Sequence, residues 1–381
     1  MKFSYNLSSL PEYPFARMEE IIRKRRSLGQ KILAFNIGDP DLPTPDFITD
    51  ALIYAVKRND YAGYSSADGE PWFREAVAEW YRRRFGVEID PESEVCALIG
   101  SKEGLANIAR AFVDKDDTVL YPDPGYPVYA NGAARLSGGK AVRYVLKNDS
   151  FLPDLSDASP LHAKLLYLNY PHNPTGAVID REELAGIVEE FASSDTILCY
   201  DNAYSEITFS GYTAPSVLQC SKDHTGLVEF HSCSKTFCMT GYRIGFAVGD
   251  KRAIDALKKV KSQIDSGPPK FIQYAASVAL QSYTGSSKPN SVQEVADVYY
   301  KRMSELCKGL EELGYKAKMP RATFYLWQKT DDASYAEKLL ERGILVTPGN
   351  AFGDAGKNYV RWSLTQPMEV IYEALELMKR L

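Results

Sequence analysis

The 381-residue chain holds 45 basic against 50 acidic residues, and this net charge of −5 argues against a surface built to coat nucleic acid. Its length exceeds one ordinary core and suits a large domain plus a smaller one, while 45% hydrophobic and 25% charged residues match a folded, soluble protein. No run approaches the ~20 apolar residues of a membrane span, and the N-terminal "MKFSYNLSSLPEYPF" is too polar and proline-broken for a signal peptide, which points to the cytoplasm.

Two basic runs near the start, "RKRRSLGQK" at 23–31 and "RRRF" at 82–85, are interleaved with Glu, Ala and Trp and read as solvated helix faces. From about residue 46 short apolar, β-branched runs alternate with amphipathic segments. The runs "EVCALIG", "DTVLYPD", "KLLYLNYP", "TILCYDNA", "LVEFHSCS" and "GFAVGD" read as strands; "GLANIARAFV" and "REELAGIVEEFASS" read as helices. This pattern predicts an α/β fold with a largely parallel sheet flanked by helices over residues 46–285. After "SQIDSGPP", which reads as a hinge, the pattern changes. A long helix, "SVQEVADVYYKRMSELCKGLEELG", precedes strands "ATFYLWQ", "ILVTPG" and "YVRWSLT" and a last helix, "MEVIYEALELMKRL". Residues 286–381, joined by 1–45, are expected to form a smaller α+β domain. The six cysteines show no C-x-x-C spacing and read as reduced thiols, Cys233 and Cys238 as packing residues. The four histidines form no ligand set, so no metal site is expected.

Parallel sheets bind ligands beyond the carboxyl ends of their strands, so those ends carry the functional information. "CALIG" runs into Gly100, Ser101 and Lys102 and then a helix, a place for a phosphate or simply an N-cap. "PGYPVY" presents Tyr126 from a proline-stiffened turn, to stack on a planar ring or on the turn itself. Asn173 in "HNPTG" has an amide for a ligand or for an Asx turn. Asp201 ends an apolar strand, where a carboxylate is costly unless a cation or donors face it; Tyr204 follows. Ser232, Ser234, Lys235 and Arg243 close the series. Each residue has a bland reading alone. Together, an amine, a buried carboxylate, a stacking ring and an arginine with hydroxyls suit a planar, cationic, phosphorylated aldehyde, namely pyridoxal 5′-phosphate.

At this point the chain resembles the class I/II aminotransferases, the pyridoxal-phosphate group of fold type I. The likeness runs through "IGDPDLPTP", "YSSADGEPWFREAV", "GSKEG", "PDPGYPVY", "NYPHNPTG", "YDNAY", "SCSKTF" and "VRWSLT" in the family's order. Within that group it most resembles the LL-diaminopimelate aminotransferases and their near relatives. The resemblance implies a Schiff base with Lys235, which then moves the proton between Cα and the cofactor's C4′. It implies Asp201 on the pyridine nitrogen, Asn173 and Tyr204 on the phenolic oxygen, and Tyr126 on the ring face. Ser101, Lys102, Ser232, Ser234 and Arg243 are implied around the phosphate. Arg361 would clamp the substrate α-carboxylate, with Gly38, Asn173 and Tyr13 also at the substrate. Tyr64 would reach the phosphate of a neighbouring subunit in a homodimer with shared sites. The implied reaction moves an amino group from an L-amino acid of the diaminopimelate, aspartate or alanine type to a 2-oxo acid such as 2-oxoglutarate. A C–S lyase, a cyclopropane-forming synthase or a tailoring enzyme on the same scaffold is the alternative. A cofactor-binding regulator is disfavoured, because such proteins usually add a DNA-binding domain. The sequence departs from the family at "SGPPKFIQ", where Pro268 and Pro269 stiffen a segment near the side-chain-recognising groups, and at the cysteines of "SCSKTFCMTGYRIG".

Overall fold

The computed structural model describes residues 1–147, 149–156 and 162–381. Its strands, in chain order, are β1 (Leu33–Phe35), β2 (Val95–Leu98), β3 (Thr118–Asp123), β4 (Lys140–Leu146), β5 (Pro153–Asp154) and β6 (Ala163–Asn169). They continue with β7 (Ile197–Asp201), β8 (Leu227–Ser232), β9 (Gly245–Gly249), β10 (Tyr325–Lys329), β11 (Ile344–Pro348) and β12 (Tyr359–Ser363). Among the described residues these make an eight-stranded sheet, in the order β2-β9-β8-β7-β6-β3-β4-β5, and a four-stranded sheet, β1-β11-β12-β10. The centre of the large sheet, from β4 through β3, β6 and β7 to β8, is parallel; β9, β2 and β5 run antiparallel to their neighbours.

The apolar runs are continuous because both faces of this sheet are covered. In β6, Leu166 and Leu168 pack into the core shared with the helices Pro71–Phe85 and Lys270–Gln281, while Leu165 and Tyr167 enter the core beneath Ser101–Phe112 and Lys251–Lys261. The small sheet has its own core, built from Tyr325, Val346, Val360 and Trp362 with the helices Asn290–Glu312 and Met368–Met378. Tyr204 and Cys238, from the ends of the large sheet, are part of that core too.

The segment 262–269, expected as the hinge, lies within the large-sheet part of the fold rather than at the passage to the small sheet. It joins two helices that both pack on the large sheet, and it is fastened at several points. Lys261, fully buried at its side chain, bonds Glu103 at 2.8 Å and Asp265 at 3.0 Å. Asp265 accepts the N–H of Gly267 at 2.7 Å. Gly267 has φ +75°, and a Cβ there would strike the carbonyl of Ser66. The chain passes to the small sheet later. Around that passage lies a buried cluster: Glu206 takes Arg84 at 3.2 Å and Tyr283 at 2.8 Å, Arg84 donates to the carbonyl of Ser286 at 2.8 Å, and Lys288 donates to Thr208. Burial pushes the Glu206 carboxyl upward, but Arg84, Lys288 and Tyr283 outweigh it and hold the group below its ordinary value.

Removing the cation from such a pair leaves a buried charge uncompensated. Arg84→Met is expected to cost about 3 kcal/mol or more, read as a lower urea midpoint at unchanged slope.

Candidate active site

The carboxyl ends of β6, β7 and β8 and the small-sheet strands β10 and β12 meet around a cavity of about 290 Å³. Larger clefts exist elsewhere, including one of about 530 Å³ at the opposite ends of β6 to β8, but the buried ionisable groups described below gather here.

Asp201 ends β7 and is 5% exposed. Its Oδ2 accepts the hydroxyl of Tyr129 at 2.7 Å, while Oδ1 has no hydrogen-bond partner among the described residues. Burial raises its pKa to about 6, against the pull of Tyr129 and the Ala203 N–H. Asn169, at the end of β6, donates to the Asp201 carbonyl at 2.7 Å and accepts the Asn173 N–H at 2.9 Å, so the two strand ends are fixed to each other.

Lys235 lies in the short helix Cys233–Thr236 that follows β8. Its Nζ donates to the Gly38 carbonyl at 2.7 Å. Burial, assisted by Arg361 and Arg243 and opposed by Asp39, brings its pKa down to about 8. An amine so placed is a free base in a substantial fraction near neutral pH.

Arg361 rises from β12 and is 2% exposed. Its guanidinium carbon sits 4.2 Å from the Tyr325 ring centroid and 4.7 Å from that of Phe352. Nη1 donates to Asn173 Oδ1 and Nη2 to the Asn36 carbonyl, both at 2.8 Å. The fork is thereby held against two rings and by two hydrogen bonds, a geometry a lysine would not supply. Asn173 spends its Oδ1 on Arg361, so its amide N–H groups remain for a ligand. Tyr204 and Tyr325 share a hydroxyl contact of 2.9 Å. Any Cβ on Gly38 would collide with the Tyr325 hydroxyl, which is why a glycine stands there.

Gly100 (φ +78°) leads into the helix Ser101–Phe112, and a Cβ on it would strike the Arg243 guanidinium. Arg243 is itself held by the carbonyls of Ile99 at 3.1 Å and Thr240 at 2.9 Å. Ser101 and Ser232 line the cavity, Ser234 is buried beside Lys235, and the free N–H groups of the helix start make this corner an anion cup. Lys102, expected at the phosphate, is not among the residues that line the cavity; its Nζ lies 3.3 Å from the Tyr13 hydroxyl and 5.8 Å from the Tyr126 ring centroid. Tyr13, Tyr126 and Glu19 line the cavity mouth. Tyr64 is not among the cavity's residues; it stands 90% exposed on the surface of the chain.

Sequence reasoning missed Tyr129, Asn169, Tyr325 and Phe352. Tyr129 lies in a π-helical turn, Val128–Ala134, whose spacing resembles no regular element in sequence. Asn169 and Tyr325 were legible as strand residues, but their partners are set by tertiary contact.

Pyridoxal phosphate fits these residues. The unpartnered, buried Oδ1 of Asp201 is an acceptor for a protonated ring nitrogen, and the cup at Gly100, Ser101 and Arg243 suits a phosphate. Residues 30–377 match the family described as aminotransferase class I and II. The LL-diaminopimelate aminotransferase of Desulforudis audaxviator is 43% identical, over 98% of this chain and 96% of that protein. Among solved structures, a probable N-succinyldiaminopimelate aminotransferase from Thermus thermophilus is 34% identical with a TM-score of 0.88, covering 96% of this chain and 99% of its own. Thermus thermophilus aspartate aminotransferase with maleate is 30% identical with a TM-score of 0.91, over 100% and 99%. A match this long, over a site that fits the cofactor, establishes that the chain belongs to the class I and II aminotransferases and is a pyridoxal-phosphate-dependent transaminase.

Proposed function

We propose that this aminotransferase takes the amino group from LL-diaminopimelate, or an amino acid with a similarly zwitterionic far end, and passes it to 2-oxoglutarate. The observation that carries the donor assignment is that groups of opposite charge stand near the cavity, Glu19 in its lining and Lys102 against the lining residue Tyr13. Lys102 offers a cation beside Tyr13 and Tyr126, and Glu19 offers a carboxylate. A donor whose distal end bears both an ammonium and a carboxylate complements that pair. The names of the relatives at 40–43% identity support the same choice.

Bound pyridoxal phosphate supplies an aldehyde carbon that takes the amine and a cationic ring that accepts the electron pair left at Cα. The chain's own residues do the rest. Arg361 holds the substrate α-carboxylate in its fork, with the Gly38 backbone alongside. Lys235 would move the proton away from the substrate Cα in one half-reaction and return it in the other. Asp201 would keep the cofactor's ring nitrogen protonated, with Tyr129 favouring its ionised form. Asn173, Tyr204 and Tyr126 would hold the ring, and Ser101, Ser232, Ser234 and Arg243 would hold the phosphate. Tyr64, fully displayed on one protomer, completes the phosphate cup of its partner in a homodimer. Residues 46–285 act as the cofactor domain, and 1–45 with 286–381 as the domain carrying Arg361. Free thiols throughout, most of them buried, support a reducing cytoplasmic setting.

Adding amino acids singly to the holoenzyme without acceptor tests the donor. LL-diaminopimelate is expected to bleach the yellow absorption and 2-oxoglutarate to restore it; release of pyruvate with the colour regained unaided would instead mark a lyase. Lys102→Ala should raise the half-saturating LL-diaminopimelate concentration about tenfold while leaving that of alanine unchanged.

Because the Lys235 amine attacks as free base, the rate at which cofactor-free protein regains colour with pyridoxal phosphate should climb roughly tenfold per pH unit and level off above about 8. A profile still rising at pH 10 would mean an unperturbed lysine.

Tyr129→Phe deletes the hydrogen bond that lowers the Asp201 pKa. Losing it raises that pKa, so the acid limb of the kcat profile is expected to move up by about one pH unit.

A further inference from the structure

Asp123 ends β3 outside the cavity, and the turn that presents Tyr126 starts two residues later. Its side chain is 4% exposed and faces the loop between β11 and β12. There its Oδ1 accepts the Ala355 N–H at 3.2 Å. Arg143, on β4, donates to Asp123 Oδ2 at 3.2 Å and also to Asp354. Gly353, at φ +136°, has no room for a Cβ, because one would collide with Asp123 Oδ1. Two residues along from Asp123, the Gly125 N–H donates to the Phe352 carbonyl at 2.8 Å. Phe352 is the ring packed on Arg361.

These contacts run without a gap from the large sheet to the substrate clamp. We infer that Asp123 is a positioning residue for recognition of the substrate α-carboxylate: it clamps residues 352–355 onto the end of β3 and so fixes Phe352 against Arg361. The same residue ties that wall to the turn bearing Tyr126. A cofactor-stacking ring and a carboxylate-binding fork, from different sheets, are thereby held at one spacing. The Ala355 N–H that Asp123 accepts makes a charge-assisted bond in a dry place, where such bonds are strong. Arg143, half exposed at the sheet edge, restrains both carboxylates and keeps Asp354 from repelling Asp123. The inference rests on Arg361 being the α-carboxylate clamp.

The test is a double-mutant cycle on the holoenzyme, with L-glutamate, the amino-acid partner of 2-oxoglutarate, as probe of the half-reaction. Asp123→Asn is expected to raise the half-saturating glutamate concentration about tenfold, to change the maximal rate by less than about twofold, and to leave cofactor retention intact. In an Arg361→Lys background the same change should add less than about twofold, because the group it positions is gone. Additive losses, or a loss confined to the maximal rate, would overturn the inference while leaving the Arg361 assignment standing. If Arg361→Lys alone leaves half-saturation unchanged, the clamp assignment fails and this inference falls with it. Should Asp123→Asn not fold, Arg143→Gln at the exposed edge enters the same cycle; an unchanged half-saturation there counts against the inference, and a rise of about threefold that disappears with Arg361→Lys supports it.

Discussion

The site depends on one unsatisfied group. A carboxylate buried at the end of β7 with an empty acceptor is unfavourable by itself, and its pKa of about 6 records that burden. Around it the protein provides the Tyr129 hydroxyl and the Ala203 N–H and fixes the Asp201 backbone through Asn169, but it leaves Oδ1 without a hydrogen bond among the described residues. The protonated ring nitrogen of the cofactor would supply the missing partner. A site that satisfied Asp201 completely would gain stability and lose the means to keep that nitrogen charged. The strained acceptor is therefore stored binding energy for the cationic ring, and the ring's charge is what makes it an electron sink.

Lys235 and Arg361 respond differently to the same surroundings. Burial lowers the hold of both on their protons, and the charge of Arg361 lowers that of Lys235 further; the amine is brought into a usable range, whereas a guanidinium stays charged regardless. The two arrive from different sheets. Lys235 follows β8 and is steadied by the Gly38 carbonyl, close to β1, while Arg361 on β12 is steadied by Asn173, which follows β6. Each functional side chain is thus held by a backbone or amide group belonging to the other half of the fold. The relative placement of the two sheets is consequently part of the active site, and the buried cluster of Arg84, Glu206, Tyr283 and Lys288 at the passage between them serves that placement.

Sequence made the large sheet legible where burial on both faces writes continuous apolar runs, as in β6 and β7. It was silent on β4, whose Lys140 and Arg143 break the apolar pattern because the strand lies near the sheet edge with exposed residues, and on β1, which is three residues long. Asp201 and Lys235 could be picked out because a charged residue at the end of an apolar strand is conspicuous, whereas Arg361, inside its strand, came only with the family resemblance. Tyr129, Tyr325 and Phe352 could not, since aromatic residues are ordinary in cores and only their distances to a charge reveal a role. The passage to the small sheet, expected at 262–269, comes later in the chain for a related reason. Glycine and paired prolines mark an irregular backbone, but whether that backbone moves depends on what fastens it, and here Gln273 donates to the Pro268 carbonyl at 2.7 Å and to Ser65 at 2.6 Å while accepting the Glu70 N–H.

That fastening bears on substrate choice. The cofactor groups lie at rigid strand ends, whereas the mouth is built from residues with one side in water: Tyr13 is 42% exposed and Lys102 reaches it with a flexible stem. Such contacts discriminate weakly unless something else limits where the far end of a donor can go. The paired-proline segment, with Pro268 buried and Pro269 exposed, is locked by Gln273 to the loop that carries Tyr64 and forms a fixed edge there. In the proposed homodimer with shared sites, this edge would border the neighbour's mouth. A flexible cation would then supply attraction and the rigid edge exclusion, with selectivity among donors following from the second more than the first.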